Sequence, residues 1–247
     1  MVTNKYGLSR YIEESRKLLI RKACGYGCVI CGSAIYQYEH VDPQFAEARE
    51  HDPDKITLLC GSCHEKVSRG FWSKQTIKDA MKDPICKRKG FSTFKLDVAK
   101  DGDFIVKIGK TSFINPKSIV QIDGIDILSI ESPEDFASPP RISAIFFDRN
   151  GTEIASIVRN EWKGSINVFD IEAIGGILKV RGTAKNIDLV IKFTPPHSLS
   201  IESINMTYNN VLISGTSVKG FTVKYKKSSI ELPTYLVDIQ HAPFGYR

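Results

Sequence analysis

The stretch "CGSCHEK", residues 60–66, sets two cysteines, a histidine and a lysine within seven positions. The fold of the first third of the chain turns on what that histidine does. A C-x-x-C pair points to a bound metal. Upstream, "CVIC" at residues 28–31 supplies a second pair. Cys28, Cys31, Cys60 and Cys63 together offer four thiolates, the donor set of a closed tetrahedral structural Zn²⁺ site. The pairs are separated by 28 residues, more than a plain zinc ribbon uses, so something is inserted between the knuckles. Cys24 lies close enough in sequence to Cys28 and Cys31 to compete as a ligand, and Cys86 reads as a free thiol. If four thiolates satisfy the zinc, His64 starts the helix that closes that site and faces a different metal.

The insert contains "YEHVDP", residues 38–43, in which Glu39 and His40 are neighbours. With His64 they form a second constellation, of hard-metal and general-base chemistry. A neutral His40 can take a proton from water near pH 7. A divalent ion on Glu39 and His64 can stabilise a phosphoryl transition state and its leaving oxygen. Lys66 and Arg69, on the helix that His64 starts, can hold flanking phosphates.

Taken together, "CVIC", "EHVDP" and "KITLLCGSCHEK" resemble the HNH endonuclease family of the type stapled by a four-cysteine zinc, over residues 24–70. The resemblance implies a ββα-metal core of two strands and a helix, gripping one catalytic divalent ion, Mg²⁺ or another. It implies that His40 is the general base and that Glu39 and His64 bind the metal. The chain departs from the pattern twice. Glu39 stands where the family usually has Asp, a difference of one methylene that a flexible Mg²⁺ shell tolerates. Lys55 stands where an Asn is expected to hold the base in position, and Lys has no acceptor. Its remaining use is as a phosphate ligand, and Asp54 or His51 are the nearby residues able to take over the Asn role.

Around this module, "LSRYIEESRKLLIRKA", residues 8–23, predicts a helix with Leu8, Tyr11, Ile12, Leu18 and Leu19 on one face, Ser9 as N-cap and Arg10, Lys17 and Arg21 on a basic opposite side. "FWSKQTIKDAMKDP" predicts a short helix capped by Ser73, with Trp72 packed on Ile77 and Pro84 ending it. "PICKRKGFS", residues 84–92, reads as a linker.

From residue 92 onward the hydrophobic period becomes two, as in "NIDLVIKF", where Ile187, Leu189, Ile191 and Phe193 share a face. Asn150-Gly151 between two strand-like runs signals a hairpin. Further turn pairs recur at Asp101-Gly102, Asp123-Gly124, Gly175-Gly176 and Asn209-Asn210. The expected fold is therefore α+β. A zinc-stapled ββα-metal module with flanking helices, residues 1–91, precedes a mostly antiparallel all-β domain, residues 92–247, a sandwich or partly closed barrel. Trp162 reads as core, His197 as a loop residue, and His241 has no identifiable partner.

Charge is unevenly spread. Residues 1–91 carry 16 Lys+Arg against 11 Asp+Glu, whereas residues 92–247 carry 18 against 17. The excess positive charge sits with the metal module, which fits a DNA partner there. The near-neutral β-domain fits contact with a protein or ligand. No run of 18 apolar residues suggests a membrane span. The polar opening "MVTNKYGLSRYIEE" lacks a secretory signal, so a cytoplasmic setting is expected. These features lead to a DNA endonuclease with an appended sensor-like domain, an architecture that suits a restriction or anti-phage effector. Two alternatives stay open: a DNA-binding zinc knuckle without catalysis, and an adaptor whose β-domain is the active part.

Overall fold

A computed structural model of the chain describes residues 3–135, 137–231, 237–238 and 245–246. His241 lies outside them. The architecture is α+β, mostly antiparallel sheet with few helices. It divides into two compact units, Met1–Phe94 with Gly164–Asp170, and Lys95–Lys163 with Ile171–Arg247. No helix among the described residues is long and apolar enough to cross a membrane.

The first unit runs α1 (Glu14–Cys24), β1 (Gln37–His40), β2 (Ile56–Leu59), α2 (Gly61–Ser68), α3 (Lys74–Lys82), α4 (Ile85–Lys89) and β3 (Phe91–Lys95). β1 and β2 are antiparallel, with Glu39 opposite Thr57 and His40 opposite Ile56. All four residues of β2 are buried, so this short strand is the spine of the unit's core. Ile20 of α1, Val29, Val41 and Ile77 of α3 pack around Ile56, Leu58 and Leu59. Ser73 caps α3 as expected, its hydroxyl accepting the Thr76 N–H at 3.3 Å, and Trp72 packs on the same core as Ile77.

Two expectations fail here for identifiable reasons. The first helix starts at Glu14, not Leu8, because the Ser9 hydroxyl accepts the Tyr11 N–H at 3.2 Å and closes a turn instead of capping a helix. With the helix so placed, Tyr11 and Leu19 are 63% and 57% exposed, and Arg21 points inward at 2%. Its guanidinium is held there by a fork to Asp170: Nε donates to Oδ1 at 2.8 Å and Nη2 to Oδ2 at 2.7 Å. Nη1 also donates to the Tyr38 hydroxyl at 2.9 Å. A charge is stable at such depth only when paired in this way. The nearby Tyr26 hydroxyl donates to the Val168 carbonyl at 2.7 Å, so the excursion 164–170 is pinned to the first unit. The second failure is the linker: residues 85–89 form α4, anchored by the fully buried Cys86.

The second unit opens with β4 (Ile105–Ile108) and β5 (Thr111–Ile114), an antiparallel pair. One sheet is a meander of β6 (Ser118–Ile122), β7 (Ile125–Glu131), β8 (Arg141–Phe147), β9 (Glu153–Val158) and β10 (Glu161–Ser165). The other runs in chain order through β11 (Asp170–Ile174), β12 (Ile177–Arg181), β13 (Leu189–Thr194), β14 (Ser198–Tyr208), β15 (Val211–Thr216), β16 (Gly220–Tyr225) and β17 (Ser228–Glu231). The long β14 carries β13 on one side, while β15 pairs its second half and β4 its first half in parallel. Both strand paths are open among the described residues, not closed into a barrel.

The predicted turns fall between strands. Asp123-Gly124, Gly175-Gly176 and Asn209-Asn210 each place two successive residues at positive φ, which suits the right-handed twist of tight hairpins. Leu189 and Ile191 are buried, whereas Ile187 precedes the strand and is exposed. Trp162 is fully buried, as expected, and His197 lies in a turn.

Candidate metal centre and acid–base site

The first knuckle is built by backbone contacts. Cys28 N–H donates to the Ser33 carbonyl and Gly32 N–H to the Cys28 carbonyl, both at 2.8 Å, with Gly32 at φ +87°. Val29 N–H donates to the Leu58 carbonyl at 3.0 Å, which fastens the knuckle beside β2. The second knuckle is the start of α2. Cys60 is its N-cap, its sulfur accepting the Cys63 N–H at 3.4 Å. The four Sγ atoms all lie within 4.8 Å of one another, and Cys31 and Cys60 are 3.5 Å apart. Sulfurs on the corners of a tetrahedron with Zn–S bonds of about 2.3 Å would be about 3.8 Å apart. The donor set and spacing therefore fit a metal ion such as zinc. Hydrogen bonding to Cys31 pulls Cys28 down to about 5, while the same bond pushes Cys31 up. The spare thiols are elsewhere, Cys24 3.4 Å from the Thr57 hydroxyl and Cys86 3.6 Å from the Gly32 carbonyl, both buried.

His64 follows Cys63 in α2 and so turns about 100° away from the sulfur cluster. Its Nε2 lies 3.2 Å from Glu39 Oε2, across from the third residue of β1. Both side chains are about one-third exposed, at 35% and 31%. One carboxylate and one imidazole thus stand side by side and partly open to solvent. Among the described residues, only the four cysteines group three or more potential ligands.

His40 makes a different set of contacts. Its Nε2 is 3.1 Å from His51 Nδ1, and its ring meets the Phe45 ring edge-on at 5.4 Å between centroids. His51 is buried, its Nε2 lies 3.0 Å from the Ser9 carbonyl oxygen, and its own carbonyl accepts from the Arg16 guanidinium. Arg10 lies over the other ring of this group, 4.5 Å from the Phe45 centroid. Burial first, then His51 and Arg10, lower the His40 pKa to about 4, so the imidazole is neutral at pH 7. Of Asp54 and His51, His51 is the one in contact with His40.

The three cations expected to hold phosphates are engaged on the protein. Lys66 lies 4.5 Å over the Trp72 ring, Arg69 pairs with Glu65 at 2.7 Å, and Lys55 with Asp52 at 3.4 Å. Exposed pairs of this kind are worth about 0.2–1 kcal/mol, which a phosphate can outbid. Lys55 also borders a cleft of about 410 Å³, together with Val41, Asp42, Lys78 and Lys82. The sequence alone points to neither Phe45 nor Asp170, and it gives Ser9 only as a helix cap. None carries a local signal: Asp170 is 149 residues from Arg21, and Ser9 acts through its carbonyl. No family model, curated protein or solved structure matches the chain.

Proposed function

We propose that this chain is a metal-dependent endonuclease of the HNH type that hydrolyses phosphodiester bonds in DNA. One observation carries the reading. Two strands and a helix follow one another as β1, β2 and α2, and Glu39 and His64 meet across β1 and α2 at 3.2 Å, separate from the four cysteines. In this reading zinc on Cys28, Cys31, Cys60 and Cys63 is structural. A divalent ion such as Mg²⁺, held by Glu39 and His64, would neutralise the charge that builds on the phosphoryl oxygens and the departing oxygen.

The chain's own residues do the rest. His40, neutral at pH 7, accepts a proton from the attacking water as the new O–P bond forms and the bond to the leaving oxygen breaks. The burial that keeps it neutral also weakens it as a base, and the negative phosphodiester beside it restores part of its proton affinity. Lys55, Lys66 and Arg69 exchange their surface partners for flanking phosphates. The excess positive charge of residues 1–91 steers the polyanion to this unit. The near-neutral β-unit then serves as a sensor or docking part, an arrangement suited to a restriction or anti-phage effector.

Plasmid cleavage tests the reading directly. Nicking or linearisation with Mg²⁺, Mn²⁺ or Ni²⁺, abolished by EDTA and absent in His40→Ala, is the expected outcome. DNA binding without cleavage under every metal would leave only a zinc-stabilised binding module.

A further inference from the structure

We infer that His51 and the N-terminal segment form a relay that fixes which nitrogen of His40 carries the proton and which is left as the base. The inference deepens the nuclease reading and rests on His40 being the base, although the hydrogen-bond order itself does not depend on it.

The argument starts at a backbone atom. The Ser9 carbonyl can only accept, so the 3.0 Å contact requires His51 Nε2 to carry a proton. In the neutral ring that leaves Nδ1 of His51 as a lone pair. The 3.1 Å contact from His51 Nδ1 to His40 Nε2 then requires His40 to donate from Nε2. Nδ1 of His40 is left as the lone pair able to take a proton. A backbone carbonyl 31 residues upstream in the chain thus selects the tautomer of the base through a second imidazole.

The carbonyl is itself held in place. The Asn4 amide donates to the carbonyls of both Phe45 and Ala48, each at 2.6 Å, and its oxygen accepts from Leu8 N–H at 3.0 Å. The segment that carries Ser9 is therefore tied to the loop that carries Phe45 and leads to His51. His51 is a positioning residue in this scheme, acting through His40 and not on the substrate.

The test uses the zinc-loaded full chain with ¹⁵N-labelled histidine, at about pH 8, above the ordinary histidine range. Long-range ¹H–¹⁵N spectra report which ring nitrogen carries the proton. In the wild type His40 should carry it on Nε2. His51→Phe should mix the His40 tautomers and lower cleavage roughly 10- to 100-fold, mainly in kcat, a typical loss for an outer-shell partner. His51→Gln, whose amide presents an acceptor and a donor in the same order, should restore most of both. Asn4→Ala, remote from the core, should shift the tautomer balance in the same direction as His51→Phe, by a smaller amount. A wild-type His40 protonated on Nδ1 would overturn the relay, as would a tautomer and rate unchanged in His51→Phe. If the tautomer behaves as described but the wild type cleaves no DNA, the relay stands and the nuclease reading fails.

Discussion

Glu39, His40 and His64 differ from the four cysteines in what their removal should cost. A closed thiolate site supplies folding energy, whereas an open two-ligand site supplies little. His64→Ala should therefore leave zinc content and thermal melting unchanged while cleavage falls to background. His40→Ala should lose about 10²–10⁴ in rate and still bind Mn²⁺ at Glu39 and His64, which isothermal titration would register. If His64→Ala instead expelled zinc, His64 would be a structural ligand. Arg21 poses a different question. Removing its partner with Asp170→Ala leaves a guanidinium buried at 2% exposure, and urea denaturation should show a loss of about 3–5 kcal/mol. The types of residue at the metal centre were legible because ligand chemistry demands them at short spacings. Arg21 was not, because a charged residue on a helix reads as surface until a distant carboxylate is known to meet it.

At the scale of elements, α2 links the two candidate metal sites, with Cys60 as its cap, Cys63 turned inward and His64 turned toward β1. Cys60→Ser or Cys63→Ser should release one zinc per chain and melt the first unit. The strand signal in circular dichroism should survive, and elemental analysis together with limited proteolysis would separate the two effects. The hairpins of the β-unit were legible because their turns need positive φ, and Asn, Asp and Gly advertise that need, as at Asn209-Asn210. The start of α1 was misplaced because Ser9 can close a turn or cap a helix with the same hydroxyl, and sequence does not say which. Residues 85–89 looked like a linker because their charges hide one buried cysteine, Cys86.

At the scale of the molecule, the charge difference between the halves makes its own prediction. A fragment of residues 95–247 should keep its strand-dominated spectrum and bind DNA far more weakly than the whole chain at equal salt, with a shallower salt dependence. Equal affinity and slope would move the nucleic-acid surface to the β-unit. The hydrophobic period changes at residue 92, and the first unit's N-terminal segment runs to Phe94. Nothing in composition or period marked the return of residues 164–170, which are held to the first unit by Asp170 on Arg21, by the Tyr26 hydroxyl on the Val168 carbonyl and by the Ile166 N–H on the Gly90 carbonyl.

That return bears on how the protein is made. A ribosome finishes Phe94 some 76 residues before it reaches Asp170, roughly 4–15 s of synthesis at ordinary rates. Throughout that interval Arg21 lacks the carboxylate that lets it lie inside, so the unit carrying Glu39, His40 and His64 is incomplete while the strands of the other unit's first sheet are already emerging. A newly made chain thus matures late in its first unit, and a product that stops before Asp170 lacks the carboxylate that holds Arg21 inside it.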